Sequence, residues 1–202
     1  MACLRGAADL LQGSQALPLK LNNFRKHPLT LIYESLVACE DEVAMDETPF
    51  LPFIEERAFA ETLRLDLSTA HKALGNGEWK AATVLAGSII EALLLWHLER
   101  HDDEHVTRAM NEAVAKGHQE PRRGGLARWH LPDYIAAAAQ LKCIRPGTVQ
   151  EAKRTQEYRN LIHPGAVIRT QQECGLGTAH IAVGTVDHVI RDLGDHTVHA
   201  WA

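Results

Sequence analysis

Residues 78–100 read EWKAATVLAGSIIEALLLWHLER, and from Trp79 to Leu98 the segment is apolar on nearly every side of a helical wheel. A helix of that kind is stable only when other elements surround it, so this stretch is expected to run through the middle of a helical bundle. Within it, Ala81 to Leu98 is the one stretch of membrane-spanning length. Glu91 stands near its middle, however, and the acidic ERHDDEH follows without a positive flank, so the expectation is a buried core helix and no membrane partner.

Upstream, Phe59, Leu63, Leu67, Ala70 and Leu74 draw a single apolar stripe, and Gly75-Asn76-Gly77 supplies residues that tolerate the left-handed conformation closing a helix. The two helices should therefore meet antiparallel. Downstream, Val106, Ala109, Met110, Ala113 and Val114 recur at helical spacing up to Gly117, and HQEPRRGGLARWH at 118–130 reads as a loop. Pro132 opens a helix running to about Cys143, and Pro146-Gly147 breaks it. Thr148 and Glu151 have the spacing of a capping box, which predicts a helix from there to His163, stopped by Pro164-Gly165. Leu176, Ala179, Val183, Val186, Ile190 and Leu193 mark a last amphipathic helix ended by Gly194, with His196 and His199 in a short tail.

No strand competes with these patterns. The fold class is all-α, a compact up-and-down bundle of about six or seven helices spanning residues 55–196. A tail covers 197–202. Residues 1–54 form an N-terminal extension with one accessory helix, from Pro28 to about Val43, carried by Leu29, Ile32, Tyr33, Leu36 and Val37.

Composition narrows the classes of function. With 202 residues the chain can bury a core without disulfides or metals. Aromatics are only 5% of the sequence, so Ala, Leu, Val and Ile must do most of the packing. The formal net charge of −5 draws the molecule neither to nucleic acid nor to anionic membranes as a whole, so any RNA site must be a local patch. Cys3, Cys39, Cys143 and Cys174 are scattered and contain no C-x-x-C pair, which disfavours a disulfide framework or a thiolate zinc site and fits a reducing cytoplasm. The first twenty residues carry no signal or transit pattern.

The polar constellation is EYRNLIHPG at 157–165. On one continuous helix Arg159 and His163, four apart, share a face with Gln156. A guanidinium beside an imidazole suits phosphodiester chemistry: Arg neutralises the charge of a phosphorane, His moves a proton near neutral pH, and Asn160 adds a hydrogen bond. A structural reading stands beside it, in which Arg159 and His163 cap a helix end or pair with Glu91. A carboxylate within an apolar helix needs a cation or donor nearby, so Glu91 either orients Arg159 and His163 or makes a purely structural bond.

Together, Ala86, Gly87, Ser88, Glu91, Leu93 and Leu94 on the central helix and the later Arg159-Asn160 before His163 resemble the HEPN superfamily of helical domains found in bacterial defence and toxin systems. The resemblance covers roughly two thirds of the chain. It implies a HEPN-like bundle, a homodimer, and in catalytic members a metal-independent ribonuclease site, here Arg159, Asn160 and His163, with a neighbouring antitoxin among its possible protein partners. Three residues separate Arg159 from His163, fewer than in the catalytic members. That shorter spacing favours the alternative, a noncatalytic module binding a nucleotide, a nucleic acid or a protein.

Two further features complete the reading. Arg122, Arg123 and Arg128, with Trp129, form the one concentrated basic and aromatic patch, a candidate for backbone contact and base stacking on RNA, against the simpler reading of solvated loop charge. His97, His101 and His105 recur every four residues, and HDDEH matches the H-x-x-E-H zinc-peptidase pattern, in which His101 and His105 would share one ion. The pattern is short, no third ligand stands out, and a solvated histidine face is the simpler reading. The expectation is therefore no resident metal and no cofactor.

Overall fold

The computed structural model describes residues 48–200. Within them lie seven α-helices and no strand: α1 (Arg57–Gly75), α2 (Trp79–Leu98), α3 (Asp103–Ala115), α4 (Leu131–Gln140), α5 (Pro146–Asn160), α6 (Pro164–Thr170) and α7 (Leu176–Ala200). A single 3-10 turn, Leu126–Arg128, precedes α4. The all-α bundle read from the pattern is the observed architecture. The accessory helix expected at 28–43 lies outside the described residues.

The centre of the bundle is α2, which packs against α1, α4, α5 and α7. Its buried residues, including Ala82, Ala86, Ile89, Ile90, Leu93, Leu94 and Leu98, point to several sides at once, as the apolar wheel requires. Small residues on the neighbours let the axes approach: Ala136, Ala137 and Ala138 on α4, Ala152 on α5, Ala179 and Ala182 on α7. Each fully buried Leu or Ile contributes about 1.5–3 kcal/mol relative to exposure, so α2 carries a large share of the folding energy. It is the one described helix long and apolar enough to cross a membrane, and it is mostly covered by the protein itself.

The turn from α1 to α2 closes as its glycines foretell. Glu78 N–H donates to Ala73 O at 2.8 Å, and Gly77 adopts φ +80°, where a Cβ would be strained.

Four boundary expectations are corrected. First, α5 begins at Pro146, with Arg145 before it, and the Thr148–Glu151 capping box does not form. Thr148 Oγ1 donates instead to Asp192 on α7 at 2.6 Å, while Glu151 pairs with His188. Second, α5 ends at Asn160, not His163, because the residue before a proline is pushed out of helical conformation; His163 sits at ψ 123°. Third, Pro164 does not stop a helix but opens α6, where its missing N–H costs nothing. Fourth, α7 runs straight through Gly194 to Ala200, so residues 197–200 are helix and not tail. A Cβ at Gly194 would lie 3.4 Å from the Phe53 ring, an ordinary contact.

Candidate functional site

Arg159 rises from the last turn of α5 toward α2. Its Nη1 donates to Glu91 Oε2 at 2.7 Å, and its aliphatic stem lies over Gly87, so that a Cβ on Gly87 would meet Arg159 Cδ at 3.0 Å. Gly87 and Glu91 are one helical turn apart on the same face of α2. Together they make a groove and an anchor for one arginine, which explains in physical terms the Gly-x-x-x-Glu of α2 and the Arg of α5. Both charged side chains remain about one-third exposed, 35% for Arg159 and 32% for Glu91, so the pair is a modest clamp between two helices and not a buried ion pair.

The other members of the constellation disperse. Asn160, the last residue of α5, is exposed, and Gln156 is half-buried one turn back. His163 is exposed and precedes α6, joined to the turn by its own N–H donating to Asn160 O at 3.3 Å. The expected shared face of Arg159 and His163 does not form, because the helix that would align them ends three residues before His163.

A double-mutant cycle tests the clamp. Gly87→Ala raises helix propensity by roughly 0.5–1 kcal/mol but crowds the Arg159 stem, which must give way by a few tenths of an ångström. In urea denaturation the substitution is expected to be at least about 1 kcal/mol more favourable in an Arg159→Ala background than in the parent. Equal effects in both backgrounds would remove the link between Gly87 and Arg159.

The basic loop is built differently from its appearance in sequence. Trp129 is half-buried against the core and its ring lies 6.2 Å from that of Tyr134, whose hydroxyl donates to Leu126 O at 2.7 Å. Trp129 thus anchors the loop, with part of its ring turned to the core and not open as a stacking platform. Burial first, then the charges of Glu91, Glu99 and Asp133, push the Tyr134 hydroxyl above its usual pKa, so it stays a protonated donor. Arg128 folds back over Gly124, while Arg122 and Arg123 are exposed. At the base of the loop the Asp133 carboxylate accepts from His130 N–H at 2.9 Å and faces His118 Nε2 at 3.0 Å.

A second polar cluster forms at the C-terminal end of α2. His97 is 3% exposed, and its Nε2 lies 3.4 Å from Nε2 of His101; Cys143 Sγ, from the turn between α4 and α5, lies 3.8 Å from the same His101 nitrogen. His196 of α7, expected in a tail, instead sets its ring against both imidazoles, with centroids 5.1 Å from His97 and 6.1 Å from His101. His105 is not part of this group. It lies exposed on α3, with Nδ1 3.3 Å from Asp102, so the His101–His105 pair of the H-x-x-E-H pattern does not form, and the solvated histidine face expected instead gives way to a buried His97 beside His101. The four-residue periodicity misled because α2 ends at Leu98, which takes His101 off the helix; Cys143, far away in sequence, carries no spacing signal at all.

Comparison with models of known protein families, with curated proteins and with solved structures finds no match.

Proposed function

We propose that this chain is a HEPN-like module that acts by association, forming a homodimer in an RNA-linked or defence setting, and does not cleave RNA. The observation that carries this reading is the engagement of Arg159 with Glu91 across Gly87. An arginine that stabilises a phosphorane must offer its charge to the substrate, and this one is already paired within the bundle. His163, displaced to the approach of α6, has lost the alignment that joint catalysis needs.

The surface following that turn supports association. Of the large apolar side chains exposed among the described residues, three fall in one sequence region: Ile168 at 78%, Leu176 at 51% and Ile181 at 41%. They lie on α6 and the start of α7, next in sequence to the RNLIHPG turn, and apolar groups left open in this way favour contact with a second protein surface.

The test has two parts. Purified protein incubated with mixed RNA in EDTA, beside Arg159→Ala and His163→Ala, is expected to leave the RNA intact in every case. Light scattering should give a dimer mass for the parent, and Ile168→Glu with Ile181→Glu should weaken the dimer by about tenfold or more, since each places a carboxylate in an apolar contact. Cleavage by the parent that both single variants abolish would replace this reading with the metal-independent ribonuclease. A parent that stays monomeric would sink the homodimer.

A further inference from the structure

We propose that His97, His101 and Cys143 form a zinc site that ties the end of α2 to the α4–α5 turn. The geometry is the first argument. A tetrahedral ion with Zn–N near 2.0–2.1 Å and Zn–S near 2.3 Å separates its ligand atoms by about 3.3 Å for two nitrogens and about 3.6 Å for nitrogen and sulfur. The protein places Nε2 of His97 3.4 Å from Nε2 of His101, and Sγ of Cys143 3.8 Å from the latter, with all three atoms within 4.8 Å of one another. Each is a nitrogen or sulfur donor, the set that zinc prefers to hard oxygen-seeking cations.

The second argument is what the buried imidazole lacks. His97 is almost wholly enclosed, yet its Nδ1 has no hydrogen-bond partner among the described residues, and its Nε2 has only the distant Nε2 of His101. A buried polar ring so poorly partnered costs free energy that a leucine in this apolar helix would avoid. A cation bound between the two Nε2 atoms would give that side of the ring a strong partner and leave Nδ1 to carry the proton. Cys143 supplies the sulfur donor from the α4–α5 turn. Coordination exchanges the S–H bond for Zn–S and releases one proton to solvent per ion bound.

His196, whose ring already stands beside both imidazoles, is the candidate for the fourth position. Occupation by its side chain would make a closed, structural site; water there would leave it open. This inference is independent of the HEPN-like reading, since it uses no residue of the Arg159 region.

The experiment uses the full chain. Titration with Co2+ as a spectroscopic stand-in is expected to give one ion per chain, intense visible d–d bands and a thiolate-to-cobalt band in the near ultraviolet, all displaced by Zn2+. Cys143→Ser should abolish the thiolate band while circular dichroism stays that of a folded helical protein. Zn2+ should raise the melting temperature of the parent more than that of the variant. Should Cys143→Ser not fold, His101→Gln carries the same test, because that ring is only half-buried. His105→Gln is the control expected to change nothing. A folded parent with no thiolate band and no zinc-dependent melting shift would overturn the proposal. So would loss of binding in His105→Gln equal to that in Cys143→Ser, since the exposed histidines would then be the ligands.

Discussion

Asp192→Ala is expected to destabilise the protein by about 3 kcal/mol, lowering its melting temperature by roughly 6–12 °C. The carboxylate is 3% exposed on α7 and makes the joint between that helix and the start of α5. One oxygen accepts from Arg145 N–H at 2.9 Å and Thr148 Oγ1 at 2.6 Å; the other faces the Arg191 guanidinium at 2.9 Å. Removing it strands a backbone donor and a hydroxyl where water has little access, and the desolvation of those groups supplies most of the cost. Thermal or urea unfolding followed by circular dichroism reads it directly. A loss below about 1 kcal/mol would mean that solvent replaces the carboxylate and that the joint is weaker than its geometry implies.

The same residue sets an acid limit. Burial acts to raise the Asp192 pKa, but the bonds from Thr148, Arg145 N–H and Arg191 outweigh it and hold the carboxyl below its ordinary 3.8. A folded value below the unfolded one means the stabilisation is complete above the unfolded pKa and is lost as pH falls through the folded one. Parent and Asp192→Asn should therefore keep a constant stability gap above about pH 4 and converge as pH drops below it. A stability gap independent of pH across that range would contradict the assignment.

Trp96→Ala should cost roughly 3–5 kcal/mol, the largest loss expected from a single aromatic truncation here. Its ring meets Phe53 edge-on at 5.8 Å and stacks on Phe59 at 6.5 Å, with the Arg100 guanidinium 4.6 Å from its centroid. The indole N–H donates to Glu56 Oε2 at 2.9 Å, and Arg100 holds the other Glu56 oxygen at the same distance. One side chain thus fastens the segment before α1 to the central helix by area, by quadrupole and by hydrogen bond. Trp96→Phe keeps the area and loses the N–H, so it should recover more than half of the loss. Equal damage from Phe and Ala would assign the energy to the Glu56 bond alone.

The fold was legible wherever periodicity and burial agree. The segment from Trp79 to Leu98 admits few placements other than a bundle centre, and Gly75 to Gly77 forces a turn. Ends were harder to read, because Thr148 is a good cap in isolation but has a better partner in Asp192, which no local pattern reveals. The shared face expected of Arg159 and His163 was lost for a related reason. Spacing of four implies a shared face only while the helix continues, and Pro164 sets His163 outside it. Arg159, by contrast, found the Glu91 partner that an apolar helix containing a carboxylate required. The His97–His101–Cys143 cluster joins positions more than forty residues apart, and tertiary structure alone brings these together.

The central place of α2 has a consequence during synthesis. Its most extensive partner surface belongs to α7, and about 80 residues separate the end of one from the start of the other. At ribosomal rates of about 5–20 residues per second, the most apolar stretch of the chain waits several seconds for its cover. Over that interval a nascent chain presents Ile89, Leu93 and Leu94 to whatever holdase stands at the exit tunnel, so truncation before α7 should yield a chaperone-bound, aggregation-prone product in place of a smaller folded bundle.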